Sequence, residues 1–160
     1  MTVKNGDTLP EAQVYLMTDG GPQAVSTTEL FAGKKTVLFA LPGAYTPTCS
    51  AAHLPGFVVH NEAIKAKGVD QIVCLSVNDP FVMKAWGEAN NVEDQILMAA
   101  DGNGEFTEAV GLTMDGRAAG LGTRSQRYAM IIDDGKVSYL AVEKPKTFEV
   151  SSAEAVLNQL

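Results

Sequence analysis

Two uninterrupted apolar runs constrain this chain most. They are Thr36-Val37-Leu38-Phe39-Ala40-Leu41 and Gln71 to Val77, the second containing Ile72-Val73-Cys74-Leu75. A strand that is apolar at every position, rather than at every second one, is buried on both faces, as in a parallel sheet covered by helices. Between them, from about Thr46 to Lys67, the apolar spacing becomes helical, with Leu54, Phe57, Val58 and Ile64 as the predicted buried stripe. Pro47 suits a first turn, where its missing N–H costs nothing, and Gly68 ends the segment. Pro55-Gly56 predicts a kink or interruption. Strand, helix and strand make a βαβ unit with a right-handed crossover.

The remaining segments fit around that unit. Ser26-Thr27-Thr28-Glu29 is a capping box ahead of Leu30-Phe31, in a short helix closed by Gly33. Asp79-Pro80 opens another helix, carrying Phe81, Val82, Ala85, Trp86 and Ala89 at helical spacing. Ile96 to Ala100 reads as a short strand and Glu105 to Val110 as a short helix. Two strand-like runs, Arg127 to Asp133 and Lys136 to Val142, flank Asp134-Gly135, a strong hairpin signal. Ser151-Ser152-Ala153-Glu154 reads as a capping box for a C-terminal helix with Val156, Leu157 and Leu160. The order βαβα, then a hairpin, then a helix, predicts an α/β fold: a three-layer sandwich with a mixed central sheet. At 160 residues, with no repeat or linker, a single domain over 1–160 is expected.

Charge excludes some function classes. The formal net charge is −7, which argues against nucleic-acid and anionic-membrane partners, since both select a basic face. No apolar run approaches the roughly 20 residues that cross a bilayer. The N-terminus lacks a signal-peptide pattern, Asn-x-Ser/Thr sequons are absent, and the two cysteines, Cys49 and Cys74, form no CxxC pair. A reducing, cytoplasmic location is therefore expected.

The chemistry points to Cys49. It follows the first apolar run and its Pro42-Gly43 turn, beyond the carboxyl end of a parallel strand, where sites in open α/β sheets gather. A helix beginning at Thr46 or Pro47 places Cys49 in its first turn, among unpaired N–H groups and the positive end of the macrodipole. That setting contributes about 0.3–1 kcal/mol, up to roughly 2 when partly buried. One pKa unit corresponds to about 1.4 kcal/mol. A helix terminus alone thus lowers an ordinary thiol by roughly one unit, and full ionisation at neutral pH calls for a further cation. Only Arg117, Arg124 and Arg127 supply guanidinium groups, and the latter two stand before a predicted core strand. Thr46, three residues before Cys49, can turn its hydroxyl into the same turn, as a cap or as part of the site. Cys74, inside an apolar run, reads as core. His53 and His60 lack the paired carboxylates of a metal site, and His53 lies one turn from Cys49. Trp86 and Phe81 read as packing residues, with a pocket wall or subunit interface as the alternative. Asp101-Gly-Asn103-Gly-Glu105 reads as a turn, because the later ligands of a calcium loop are missing.

These residues carry a resemblance. Pro42-x-x-x-Thr46-x-x-Cys49 is similar to the active-site motif of the peroxiredoxins. The longer run Pro42-Gly-Ala-Tyr-Thr-Pro-Thr-Cys-Ser50, with His53-Leu-Pro-Gly-Phe57, Leu75-Ser-Val-Asn-Asp79 and Gly122-x-Arg124-Ser-x-Arg127-Tyr128, resembles the type-five (atypical, type II) subfamily. The resemblance implies a thioredoxin-like fold and reduction of hydrogen peroxide and organic hydroperoxides, without metal or other cofactor. It implies Cys49 as the peroxidatic cysteine, Pro42 as its shield, Thr46 as a hydrogen-bonding partner of thiolate or peroxide, and Arg127 as the active-site arginine. Arg124 becomes a supporting basic residue. Some members carry a resolving cysteine near the C-terminus; Phe148 to Ala153 has none here. One-cysteine behaviour is expected, with glutathione and glutaredoxin, or thioredoxin, as the external reductant, and a homodimer by resemblance. A redox-switched holdase or adaptor is a second reading, without a disordered arm to support it. A thiol–disulfide exchanger is disfavoured by the missing CxxC.

Overall fold

The computed structural model describes residues 2–160. The two apolar runs become β3 (Lys35–Ala40) and β4 (Gln71–Ser76), parallel neighbours in register from Thr36 opposite Gln71 to Ala40 opposite Leu75. β5 (Leu97–Ala100) continues the parallel set beyond β4. The hairpin predicted around Asp134-Gly135 forms as β8 (Tyr128–Asp133) and β9 (Lys136–Val142), with β8 antiparallel to β3. Both turn residues have positive φ, +48° at Asp134 and +80° at Gly135, as a tight two-residue hairpin turn requires.

The other edge was not foreseen. β1 (Gln13–Thr18) and β2 (Gly21–Ser26) form a hairpin, and β1 pairs antiparallel with β5. The sheet order is therefore β2-β1-β5-β4-β3-β8-β9. β2 is largely exposed and carries Pro22, so it lacks the apolar alternation that marks a strand in sequence. A separate two-stranded ribbon joins β6 (Thr113–Asp115) and β7 (Thr123–Ser125).

Both faces of the central strands are covered. Val37 and Phe39 of β3, Ile72 and Cys74 of β4, and Ala129 and Ile131 of β8 face one core. The residues between them, including Leu38, Val73 and Met130, face the other. The first core is closed by α2 (Leu54–Lys65), α3 (Pro80–Ala89) and α5 (Ala153–Leu157). The second is closed by α1 (Thr27–Phe31) and α4 (Glu105–Ala109). This is the three-layer sandwich with a mixed central sheet.

Several helix details differ from the sequence reading. The long helix starts at Pro47 as expected, but it is interrupted before Pro55: Cys49–His53 is a π turn. Pro55 has no N–H to offer the carbonyl four residues back, and the preceding turn widens so that the Leu54 N–H bonds the Cys49 carbonyl. Leu54, Phe57 and Ile64 are buried, with Val58 half-buried. On α3 the buried residues are Met83, Trp86 and Gly87, whereas Phe81 is 65% exposed, so it does not pack in the core. Asp79 caps α3 by accepting from the Val82 N–H at 2.9 Å. The cap of α5 is Ser152, one residue later than the capping box predicted, because the Ser151 hydroxyl is held elsewhere.

Candidate active site

The loop leaving β3 is held from several directions before it reaches Cys49. Arg124 Nη1 donates to the Pro42 carbonyl at 3.2 Å, and its Nε donates to the Leu121 carbonyl at 2.9 Å. Gly43 makes room for this clamp: a Cβ there would lie 2.6 Å from Arg124 Nη1. The Ala44 N–H donates to Asn78 Oδ1 at 2.9 Å, and Ser76 Oγ donates to the same oxygen at 2.6 Å. Tyr45 takes a left-handed φ of +66°, and Thr46 closes the turn by donating its hydroxyl to the Gly43 carbonyl at 2.7 Å. Of the two partners expected for Thr46, thiolate or peroxide, this geometry suits the peroxide. The one Thr46 hydroxyl proton is committed to Gly43, and the oxygen is left as an acceptor. The first α-helical bond follows, from the Ser50 N–H to the Thr46 carbonyl at 2.9 Å. Ser50 in turn receives the Trp86 indole N–H at 3.0 Å, pinning the residue after Cys49 to α3.

Cys49 has no exposed surface, and its sulfur meets a cation. Arg127 Nη2 donates to Cys49 Sγ at 3.1 Å, so a cationic donor rests directly on the sulfur. Arg127 precedes β8 directly, as the sequence suggested. Arg124 instead lies in the small ribbon strand β7 and bonds Pro42, so it supports the loop and does not touch the sulfur.

Arg127 is positioned by His53, from the His53-Leu-Pro-Gly-Phe57 motif, and by Phe148, which lies outside the motifs. Its Nη1 lies 2.8 Å from His53 Nδ1, and its guanidinium sits 5.8 Å from the centroid of the Phe148 ring. His53 is completely buried, with ring centroids of Phe39 at 5.1 Å, Phe57 at 5.8 Å and Phe148 at 5.0 Å around it. Its Nε2 lies 3.0 Å from the Ser151 carbonyl, which can only accept. The proton therefore sits on Nε2, and the Nδ1 lone pair accepts from Arg127. Burial first, and the Arg127 charge second, lower the His53 pKa to about 3, so the ring stays neutral.

The Ser151 carbonyl is fixed by a buried carboxylate. Glu143 Oε2 accepts from the backbone N–H groups of Glu149, Val150 and Ser151 at 2.8–2.9 Å and from the Ser151 hydroxyl at 2.6 Å. Burial opposes this charge, but these hydrogen bonds, led by the Ser151 hydroxyl, outweigh it and hold the Glu143 carboxyl below the usual range. A continuous chain results: Glu143, Ser151, His53, Arg127, Cys49. Sequence reasoning missed Glu143, Ser151 and Phe148. Glu143 follows a strand and precedes Lys144-Pro145-Lys146, so in sequence it looks like any solvated charge.

Cys74 faces the same core as Cys49 from the middle of β4. It is wholly buried, and burial pushes its thiol well above the ordinary range, with a negative Cys49 adding to the effect. Pro42, Thr48 and Arg127 line a 650 Å³ cavity that continues along the 143–148 segment. Among the described residues, no cluster of three or more His, Cys, Asp or Glu side chains is placed to hold a metal ion.

The arrangement is a strand-end cysteine in the first turn of an interrupted helix, with a guanidinium on its sulfur and a fixed acceptor three residues earlier. The Redoxin family model matches residues 4–157 of the chain. Peroxiredoxin-2B of Arabidopsis thaliana is 47% identical over 156 residues, covering 97% of this chain and 96% of the relative. Reduced Prx3 of Vibrio vulnificus in complex with hydrogen peroxide superposes with a TM-score of 0.95 at 58% identity, covering 99% of each chain. Peroxiredoxin 5 of Alvinella pompejana does so with 0.85 at 36% identity, covering 98% of this chain and 96% of that one. With its mixed sheet, its site and these relatives, the chain belongs to the redoxin family and, within it, to the peroxiredoxins, thiol peroxidases of thioredoxin-like fold.

Proposed function

We propose that this chain reduces hydrogen peroxide and organic hydroperoxides through Cys49 alone and is recycled by an external thiol. The observation that carries this reading is the 3.1 Å bond from Arg127 Nη2 to Cys49 Sγ, set against the buried, uncharged surroundings of Cys74. The Cys49 thiolate attacks one peroxide oxygen. Its electron pair forms the S–O bond while the O–O bond breaks. The departing oxygen takes the O–O pair and then a proton, leaving water or an alcohol, and Cys49 becomes sulfenic acid. Arg127 offsets the charge growing on the departing oxygen. Thr46, whose oxygen is an acceptor, takes the peroxide O–H. Pro42, with Thr48, shields the approach to the sulfur. The Vibrio vulnificus relative crystallised with hydrogen peroxide supports that substrate.

Recycling needs a second thiol. A thiol attacks the sulfenic sulfur, an S–S bond forms and water leaves; another thiol then releases Cys49 and departs as the disulfide. Cys74 serves this step poorly, because its raised pKa leaves little thiolate and the β-ladder holds it in place. The π turn at Cys49–His53 is consistent with a local rearrangement there, since it interrupts the regular helical bonding at the cysteine itself. Glutathione with glutaredoxin is our assigned reductant, and thioredoxin the alternative. A cytoplasmic setting, a role in antioxidant defence and a homodimer complete the reading. Exposed Tyr45 and Phe81 are the apolar side chains a second copy would cover.

Peroxide turnover tests this, with glutathione–glutaredoxin and thioredoxin supplied separately to wild type, Cys49→Ser and Cys74→Ser. We expect Cys49→Ser to be inactive and Cys74→Ser to retain most turnover with glutathione–glutaredoxin. Equal loss in both variants refutes the one-cysteine scheme.

A further inference from the structure

The cavity beside Cys49 is much larger than its smallest substrate. Hydrogen peroxide has two heavy atoms and needs about twice the ~30 Å³ that a water molecule occupies in the liquid. The cavity measures 650 Å³, roughly ten times more, in the range of sites that hold an organic ligand. Thr48 and Arg127 mark the part next to Cys49. Met114, Pro145 and Phe148 add apolar lining.

Its charge is out of keeping with the protein. In a chain of net charge −7, three cationic side chains, Arg127, Lys144 and Lys146, and a single carboxylate, Glu143, line this cavity. The carboxylate does not neutralise the lysines by contact, since its oxygens are taken up by the 147–151 segment. Among the described residues neither lysine has an acidic partner within ion-pair distance.

The backbone gives a second, independent sign. The Thr147 N–H bonds the Lys144 carbonyl at 3.0 Å, closing a four-residue turn with Pro145 second and Lys146 third. Lys146 has φ of +63°, a position that glycine or asparagine fills at lower cost. A lysine there, on the rim of a site, is a strained residue whose side chain borders the cavity.

Resting on the peroxidase reading, we propose that Lys144 and Lys146 recognise the carboxylate of an organic hydroperoxide. The apolar body of that substrate lies along Met114, Pro145 and Phe148, and its hydroperoxide reaches Cys49 past Arg127. Hydroperoxides with an apolar body come from oxidised hydrocarbon chains, and the charge such a chain carries in its free-acid form is a carboxylate. The chemistry at sulfur is unchanged: Cys49 takes the terminal oxygen and the chain leaves as an alcohol. The carboxylate acts only in binding, so it changes kcat/KM chiefly through KM.

The test compares kcat/KM for ω-hydroperoxyoctanoic acid and its methyl ester at neutral pH, with hydrogen peroxide alongside. Wild type is expected to prefer the acid by about fivefold at low salt, the scale of two partly solvated ion pairs, and to lose the preference at high salt. The Lys144→Ala/Lys146→Gly double variant, in which glycine relieves the strained φ and keeps the turn, brings the acid-to-ester ratio to about one. The arginine pair Lys144→Arg/Lys146→Arg retains a ratio above one, and Lys136→Ala, at the far end of β9, retains the wild-type ratio. Equal rates for acid and ester in wild type, or a preference that survives in the double variant, overturn the proposal. Failure of wild type to consume hydrogen peroxide overturns the peroxidase reading instead, so the two failures are distinct.

Discussion

Cys49 and Cys74 make an instructive pair. Both are fully buried and both face the same core. A buried cysteine is ordinarily an inert core residue. Cys74 meets that description, as a strand residue paired with Phe39 on one side and Met98 on the other. Cys49 differs in one respect that matters: Arg127 reaches its sulfur, and an aligned set of groups fixes Arg127. Exposure does not separate the two cysteines; a positioned cation on one of the two sulfurs does.

The comparison can be broken most severely by removing that cation. Arg127→Ala is expected to slow peroxide reduction by about a hundredfold or more, the scale of losing one donor to developing charge. Arg124→Ala, which frees Pro42 but leaves the sulfur's partner in place, is expected to have a much smaller effect. Stopped-flow rates with hydrogen peroxide check this, and the reverse order refutes the roles given to the two arginines.

A smaller effect is expected from His53, which acts through Arg127. His53→Leu leaves Arg127 Nη1 and the Ser151 carbonyl without partners and is expected to cost roughly tenfold in rate through misplacement of the guanidinium. His53→Gln, whose amide both donates and accepts, is expected to recover part of it; a purely structural filler would give no such rescue. The same residue shapes acid stability. Its folded pKa of about 3 lies below its unfolded value of about 6.5, so the unfolded chain binds the extra proton between these limits. Stability is therefore complete above about pH 6.5 and falls steadily toward pH 3. Glu143, held low, adds a loss in the same direction below its ordinary range as it protonates. Denaturant melts from neutral to acid pH should show this decline, and a flatter profile in His53→Gln.

The smallest expected change is at Gly43. A Cβ there would displace Arg124, whose flexible end can swing away and release the Pro42 carbonyl. Gly43→Ala is expected to cost about 1 kcal/mol, the net value of one hydrogen bond, measured as a shift in denaturation midpoint.

Much of this was legible in the sequence because local rules agreed with the fold. The apolar runs, the Asp134-Gly135 turn and the Asp79-Pro80 cap each specify their element from neighbouring residues. Cys49, Arg127 and Pro42 came from a motif tied to a strand end. The β1–β2 hairpin escaped because its outer strand is exposed and lacks alternation. The Glu143–Ser151–His53 chain escaped for a different reason. It joins residues 98 positions apart from His53 to Ser151, and backbone groups carry most of its bonds, so residue identity reveals little of it.

The central claim is that peroxide oxidises one cysteine and leaves the other a thiol. Wild-type protein treated with one equivalent of hydrogen peroxide in the presence of a sulfenic-acid trap, then digested and weighed peptide by peptide, tests it directly. The account predicts the trap on Cys49 and an unmodified Cys74; a Cys49–Cys74 disulfide, or the trap on Cys74, would contradict it.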